Sequence, residues 1–232
     1  MLGTVAAMFD YDWKEAERHF TTALSGEAVP SLVHRYYAHY CLLPVGRARE
    51  AVIHHDIAAG DDPLNLAARS ERALALYAAG RSMDGNQELR RIMELDDTFW
   101  FPYFLLGQAH LLDGRLDEAL PLAEQAHRAA PWFLPAVAVL AVLLERRGDT
   151  ERAEALAARL RADTEYIDPI GPATYHLHRG ELDAAADWTA KAIEQRQPAV
   201  FFLLSVAAAL RSSPRWPALA RRIRLPATSE LS

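Results

Sequence analysis

One cysteine, Cys41, stands in 232 residues, so no internal disulfide can form. The chain must be held by packing alone, and this cysteine usage agrees with a cytoplasmic setting. Lysine is almost as scarce, with Lys14 and Lys191 the only two. At a net charge of −6 the surface lacks the basic excess on which binding to nucleic-acid phosphates draws. No apolar run approaches the roughly 18 residues of a membrane-spanning helix; the nearest, Trp132 to Leu144, is shorter and carries Pro135 near its start. The first residues show no charged, apolar and small succession of a secretory leader. H-E-x-x-H, C-x-x-C, G-x-S-x-G, the P-loop and G-x-G-x-x-G are all missing. The sequence therefore gives no reason to expect an enzyme or a cofactor.

Histidine is the one metal-capable residue in quantity, and its spacing argues against a metal site. His34 and His39 are five apart and His54 and His55 adjacent, whereas ligand pairs on one helix face stand three or four apart. His176 and His178, two apart, point to opposite sides. His55 occupies the place that Phe20 and Leu89 fill elsewhere in the chain, so a packed core histidine is expected there. Cys41 likewise reads as a small core residue.

What the chain does have is a period. Gly46, Gly80, Gly114 and Gly148 recur every 34 residues (80 − 46, 114 − 80, 148 − 114). Five positions after each stands Ala51, Gly85, Ala119 or Ala153, and seven further Ala58, Ile92, Ala126 or Leu160. Gly180, Ala185 and Ala192 continue the pattern, and Tyr11, Ala16 and Ala23 begin it, with tyrosine in the glycine place. A glycine at such an interval marks a helix end in the left-handed conformation. Acidic first turns follow in Asp117-Glu118 and Asp183, while Pro102 and Pro135 sit just inside helix starts. Pro121, one turn into a helix, predicts a bend or a late start. A repeat of 34 residues built from two helices is the length of the tetratricopeptide repeat.

The expected fold is therefore all-α, a right-handed α-solenoid of about six helical hairpins with a C-terminal capping helix. It forms one domain over 1–226, with repeats near 1–30, 31–63, 64–97, 98–131, 132–165 and 166–197, terminal helices at 198–226 and a tail at 227–232. Trp216, Leu219, Ala220 and Ile223 give the cap an apolar stripe, with Arg221, Arg222 and Arg224 outward.

Longer motifs narrow the likeness. Phe9-Asp10-Tyr11-Asp12-Trp13-Lys14-Glu15-Ala16-Glu17, Tyr36-Tyr37-Ala38-His39-Tyr40 and Asp61-Asp62-Pro63-Leu64-Asn65 are joined near the end by Leu210 to Trp216 and Arg221 to Pro226. Together they resemble the tetratricopeptide regions that form the C-terminal half of bacterial multidomain signalling proteins. In those proteins the region follows a winged-helix DNA-binding domain, a serine/threonine kinase domain or a class III cyclase domain. Two departures are visible: an extra residue near Pro44-Val45, expected to lengthen one turn, and an unbroken Val206 to Arg211 where relatives carry prolines.

The resemblance implies a scaffold that binds a protein or peptide segment in a concave groove lined by the first helix of each hairpin. Placing the repeat register on this chain puts Arg35, His39, Ser70, Leu74, Tyr77, Phe101, Phe104, Gln108 and Leu111 in that groove. Tyr103, Leu106 and Gly107 go into the packing. A lysine clamp for a C-terminal carboxylate is disfavoured, because no first helix carries lysine and Ser70, Glu71 and Phe101 stand at the clamp positions. Two alternatives remain: the non-catalytic tail of a kinase or cyclase, and a homo-oligomerisation scaffold. The second rests on the uncapped apolar opening at Leu2, Val5, Met8 and Phe9, which also reads as a helix whose beginning is missing.

Overall fold

The computed structural model describes residues 1–161, 168–198, 200 and 208–226, and all regular structure among them is helical. In chain order the helices are α1 (Leu2–Val5, continued by a π-helical turn Ala6–Asp10), α2 (Trp13–Leu24), α3 (Ser31–Tyr37, continued by a π-helical turn Ala38–Leu42) and α4 (Ala48–Asp61). There follow α5 (Leu66–Ala78), α6 (Ser82–Leu95), α7 (Trp100–Leu112), α8 (Leu116–Ala129), α9 (Leu134–Arg146) and α10 (Thr150–Arg161). The last are α11 (Ile170–Arg179), α12 (Leu182–Glu194), α13 (Ala208–Arg211) and α14 (Trp216–Arg222). Residues 206 and 207 of the unbroken 206–211 stretch and the whole 227–232 tail fall outside the described residues, and Ala208–Arg211 is helical.

The glycines do what their spacing predicts. Gly46, Gly80, Gly114, Gly148 and Gly180 have φ of 90°, 77°, 74°, 82° and 78°, and each follows the first helix of a pair. At Gly114 the amide donates to the carbonyl of Leu111 (3.1 Å) and that of Arg115 to His110 (2.9 Å). These two bonds close the helix end by satisfying carbonyls that the helix leaves over. Tyr11, in the glycine place of the first pair, takes the same conformation at φ 51°. A Cβ at Gly114 would meet no atom within 4 Å, so Gly114→Ala isolates the backbone term. We expect it to cost about 1–2 kcal/mol in urea unfolding; a variant as stable as wild type would mean the turn is not held left-handed in solution.

Two expectations are corrected. The extra residue near Pro44-Val45 does not lengthen the turn: it is absorbed upstream as the π-helical turn, closed by the Leu43 amide on the carbonyl of Ala38 (3.0 Å), and the Gly46 closure is kept. Of the bend or late start expected from Pro121, the late start does not occur, since α8 begins at Leu116 with Asp117 and Glu118 in its first turn.

The chain divides into two compact units. Unit 1 comprises Met1–Glu88 with a C-terminal part from Pro217 on. Here α1 packs on α2, α3 on α4 and α4 on α5. Ala16, Ala51 and Ala58 are buried at the small positions, and Phe20 and His55 fill equivalent core places. Leu219 and Ile223 are buried too, and the Trp13 indole donates to the Ile223 carbonyl at 2.7 Å. The closing helix thus meets the first hairpin, 210 residues away in sequence.

Unit 2 comprises Leu89–Leu203 with Ala207–Trp216. Within it α7 packs on α8, α9 touches α7, α8, α10 and α11, and α11 packs on α12. Every residue of α9 from Pro135 to Leu144 is buried. Close approach of α7 and α8 depends on Gly107, where a Cβ would lie 3.3 Å from the Ala123 nitrogen.

Candidate functional site

Among the described residues of unit 2, three of the four positions that the repeat register assigns to the groove are buried. Phe104 is 1% exposed, and Gln108 and Leu111 are also buried. The Phe104 ring lies edge-on to Phe133 (5.1 Å) and stacks on Phe101 (6.4 Å). Gln108 Nε2 meets His178 Nε2 at 2.9 Å, so side chains of α7 and α11 join past the intervening first helix, α9. Arg146 adds a bond from Nη2 to the His178 carbonyl (2.7 Å). Burial, with the charge of Arg146 adding, pushes His178 down to about 4, and its imidazole is neutral at pH 7. Phe104, Gln108 and Leu111 are thus interior residues rather than accessible groove positions. The physical reason is that the inward face of the first helices is filled by packing. Of the four unit 2 positions expected in the groove, only Phe101 keeps partial exposure.

In unit 1 the outcome is mixed. Ser70 and Leu74 are buried, with the Ser70 hydroxyl donating to the Leu66 carbonyl (2.8 Å) one turn back. Tyr77 is half-buried and its hydroxyl meets Asn86 Oδ1 at 2.6 Å. Arg35 and Glu71 form a forked pair, with Arg35 Nε 2.7 Å from Glu71 Oε2. Burial acts to raise the Glu71 carboxyl, but the hydrogen bonds and charge of Arg35, helped by His39 and His55, hold it below the usual carboxylate range. Arg35, the cation that could meet a partner carboxylate, is thus already engaged by Glu71. His39 lies beside this pair with its Nδ1 enclosed, and Tyr36 and Tyr40 flank it at partial exposure.

The most exposed aromatic cluster among the described residues lies in unit 2, and of its rings the register had pointed only to Phe101. Trp132, 68% exposed in the turn before α9, stands edge-on to Trp100 at 5.5 Å. Trp100 also lies 4.5 Å from Phe133 and 5.1 Å from Phe101. Arg159 holds the turn through a bond from Nη2 to the Pro131 carbonyl (2.9 Å). Four rings thus form one surface at the N-terminal ends of α7 and α9. Trp132 lies outside the first-helix positions from which groove residues are read, so spacing gave no signal for it.

Among the described residues no three metal-capable side chains gather into a metal site, and no helix is long and apolar enough to cross a membrane. Residues 110–165 match the tetratricopeptide repeat family. The chain is also similar to a tetratricopeptide repeat protein from Parabacteroides merdae ATCC 43184, whose crystal structure superposes with a TM-score of 0.63. That likeness runs at 20% identity over 88% of this chain and 80% of the other. The fold is that of a tetratricopeptide repeat protein. No curated protein matches the sequence.

A tetratricopeptide repeat fold is an α-solenoid scaffold consistent with protein interaction. In this chain α9 and most of α11 are buried, while Trp132 in the turn before α9 is exposed. At the other extremity of the sequence Leu2, Val5 and Phe9 are exposed along α1 and its π-helical turn.

Proposed function

We propose that this tetratricopeptide repeat chain is a protein-binding scaffold acting as the regulatory module of a bacterial, cytoplasmic signalling or transcription-regulatory protein. Its anchor for a peptide segment is the aromatic surface of Trp100, Phe101, Trp132 and Phe133. The observation that carries the reading is the exposure of Trp132 while it rests against Trp100 and Phe133. A tryptophan backed by other rings offers a large apolar area with little side-chain entropy left to lose, the profile of an interface hot spot. The regulatory context is supported by the opening and closing motifs, which resemble those of the signalling proteins named above. A non-catalytic role beside a kinase or cyclase domain is one form of the same reading.

The test begins with peptides selected by display against the full chain. Trp132→Ala is expected to weaken their binding at least about tenfold, the effect of losing roughly 1.4 kcal/mol or more. Leu64→Ala, which removes an exposed leucine of unit 1, should leave it unchanged. Equal affinities in wild type and Trp132→Ala would place the binding surface elsewhere.

A further inference from the structure

Four of the nine histidines lie in the second hairpin, and they pair across its two helices rather than along them. His34 of α3 and His54 of α4 face each other with Nδ1 to Nδ1 at 2.8 Å. Such a bond needs one Nδ1–H and one bare Nδ1. A neutral pair in complementary tautomers satisfies it, and so does a pair sharing one added proton. A doubly protonated pair presents N–H to N–H and cannot keep it. Behind them the His39 and His55 rings lie 6.5 Å apart. His55 is 1% exposed, and neither of its ring nitrogens has a protein hydrogen-bond partner; nor does His39 Nδ1.

The charged neighbours do not offer these rings a free counter-ion. On the side of His54, Glu17 of α2 and Glu50 of α4 are both bound to Arg47, and the Tyr37 hydroxyl donates to Glu17 (3.1 Å). On the side of His39 and His55, Glu71 of α5 is bound to Arg35, and Arg72 of α5 is bound to Asp56 of α4. Tyr40 of the α3 segment, its hydroxyl pushed up by burial, brings no charge near neutrality.

We infer that the second hairpin is an acid-operated joint: below about pH 6, protons that α3 and α4 cannot accept while packed drive them apart and open the Arg35–Glu71 face. The sign follows from burial, which lowers His39, His54 and His55 from the ordinary value of 6.5, His55 to about 3. The open form binds protons that the packed form refuses. The packed form is therefore undisturbed above pH 6.5 and loses ground as the pH falls below it. With 6.5 in the open state and about 3 in the packed state, His55 alone raises the open population about thirtyfold between pH 7.5 and pH 5.0.

Amide hydrogen exchange on the full chain, corrected for intrinsic rates, tests this. Wild type at pH 7.5 serves as the reference. Between pH 7.5 and 5.0 the opening of α3 and α4 should rise about thirtyfold or more. His55→Leu, which installs the residue found at position 89, should remove most of the rise. His54→Gln, which keeps a hydrogen-bonding group but cannot be protonated, should lower what remains. A rise of less than about threefold in wild type would overturn the inference, as would an undiminished acid response in His55→Leu. His55→Phe, which installs the residue found at position 20, provides a second apolar variant. If neither variant folds at pH 7.5, the imidazole makes a contact that apolar side chains cannot replace, which also counts against the inference.

Discussion

In a Gly171→Ala variant, thermal unfolding of unit 2 is expected about 10 °C below wild type, from a loss of roughly 3 kcal/mol or more. An added Cβ at Gly171 would stand 2.5 Å from the Leu134 Cβ and 3.3 Å from its carbonyl carbon. Leu160 Cδ2, at 3.2 Å, belongs to a flexible end and can move aside. The Leu134 Cβ cannot, because its place is set by the α9 backbone, so α9 and α11 must separate. Alanine recovers about 1 kcal/mol through its better helix propensity, too little to offset this. Pro172 follows, and a Cβ before a helical proline is crowded by the ring. Phe101 before Pro102 in α7 tolerates that arrangement, so the Leu134 contact decides the outcome. Gly60→Ala is the control: nothing lies within 4 Å of its Cβ, and it should gain about 0.5–1 kcal/mol. Calorimetry on the two variants separates the cases, and a Gly171→Ala protein melting within 2 °C of wild type, a shift of under about 1 kcal/mol, would show that α9 and α11 are not so close in solution.

The hairpin turns were legible in the sequence because a positive φ admits few residues. Five glycines at near-constant spacing announce it, and the phase of the repeat located even Tyr11. Buried alanines such as Ala51 and Ala119 were legible for the same kind of reason, since close helix approach excludes larger side chains. Contacts that join distant parts of the chain were not. The register placed Phe104, Gln108 and Leu111 on an inward face but could not tell whether that face stays open. The Gln108–His178 contact, 70 residues apart, shows it filled. Spacing along a single helix was blind to the pairing of His34 with His54 across two helices. Trp132 escaped because a turn residue obeys no helical period. The bond from Trp13 to Ile223 has no local signature at all.

Glu71→Ala is expected to destabilise unit 1 by about 3–5 kcal/mol, the range for removing one partner of a buried ion pair. The side chains of Arg35 and Glu71 are only 20% and 12% exposed, so the guanidinium left behind would be poorly solvated. Arg18 and Glu15 make a similar forked contact, but at 60% and 41% exposure water replaces the lost partner, and Glu15→Ala should unfold as wild type does. Converting both partners to leucine removes the stranded charge as well as the bond, so Arg35→Leu/Glu71→Leu should recover most of the loss. Urea unfolding of the two single variants and the double gives the coupling energy directly. The pH dependence separates this pair from the histidines: the Glu71 contribution is complete above the usual carboxylate range and is lost as the pH falls through its lowered value. The histidine effect has already begun by pH 6.5. An acid titration of wild type should therefore show two successive losses, and in Glu71→Ala only the earlier one should survive. A cost below about 1 kcal/mol for Glu71→Ala would mean that this face is already wet and that Arg35 does not depend on its partner.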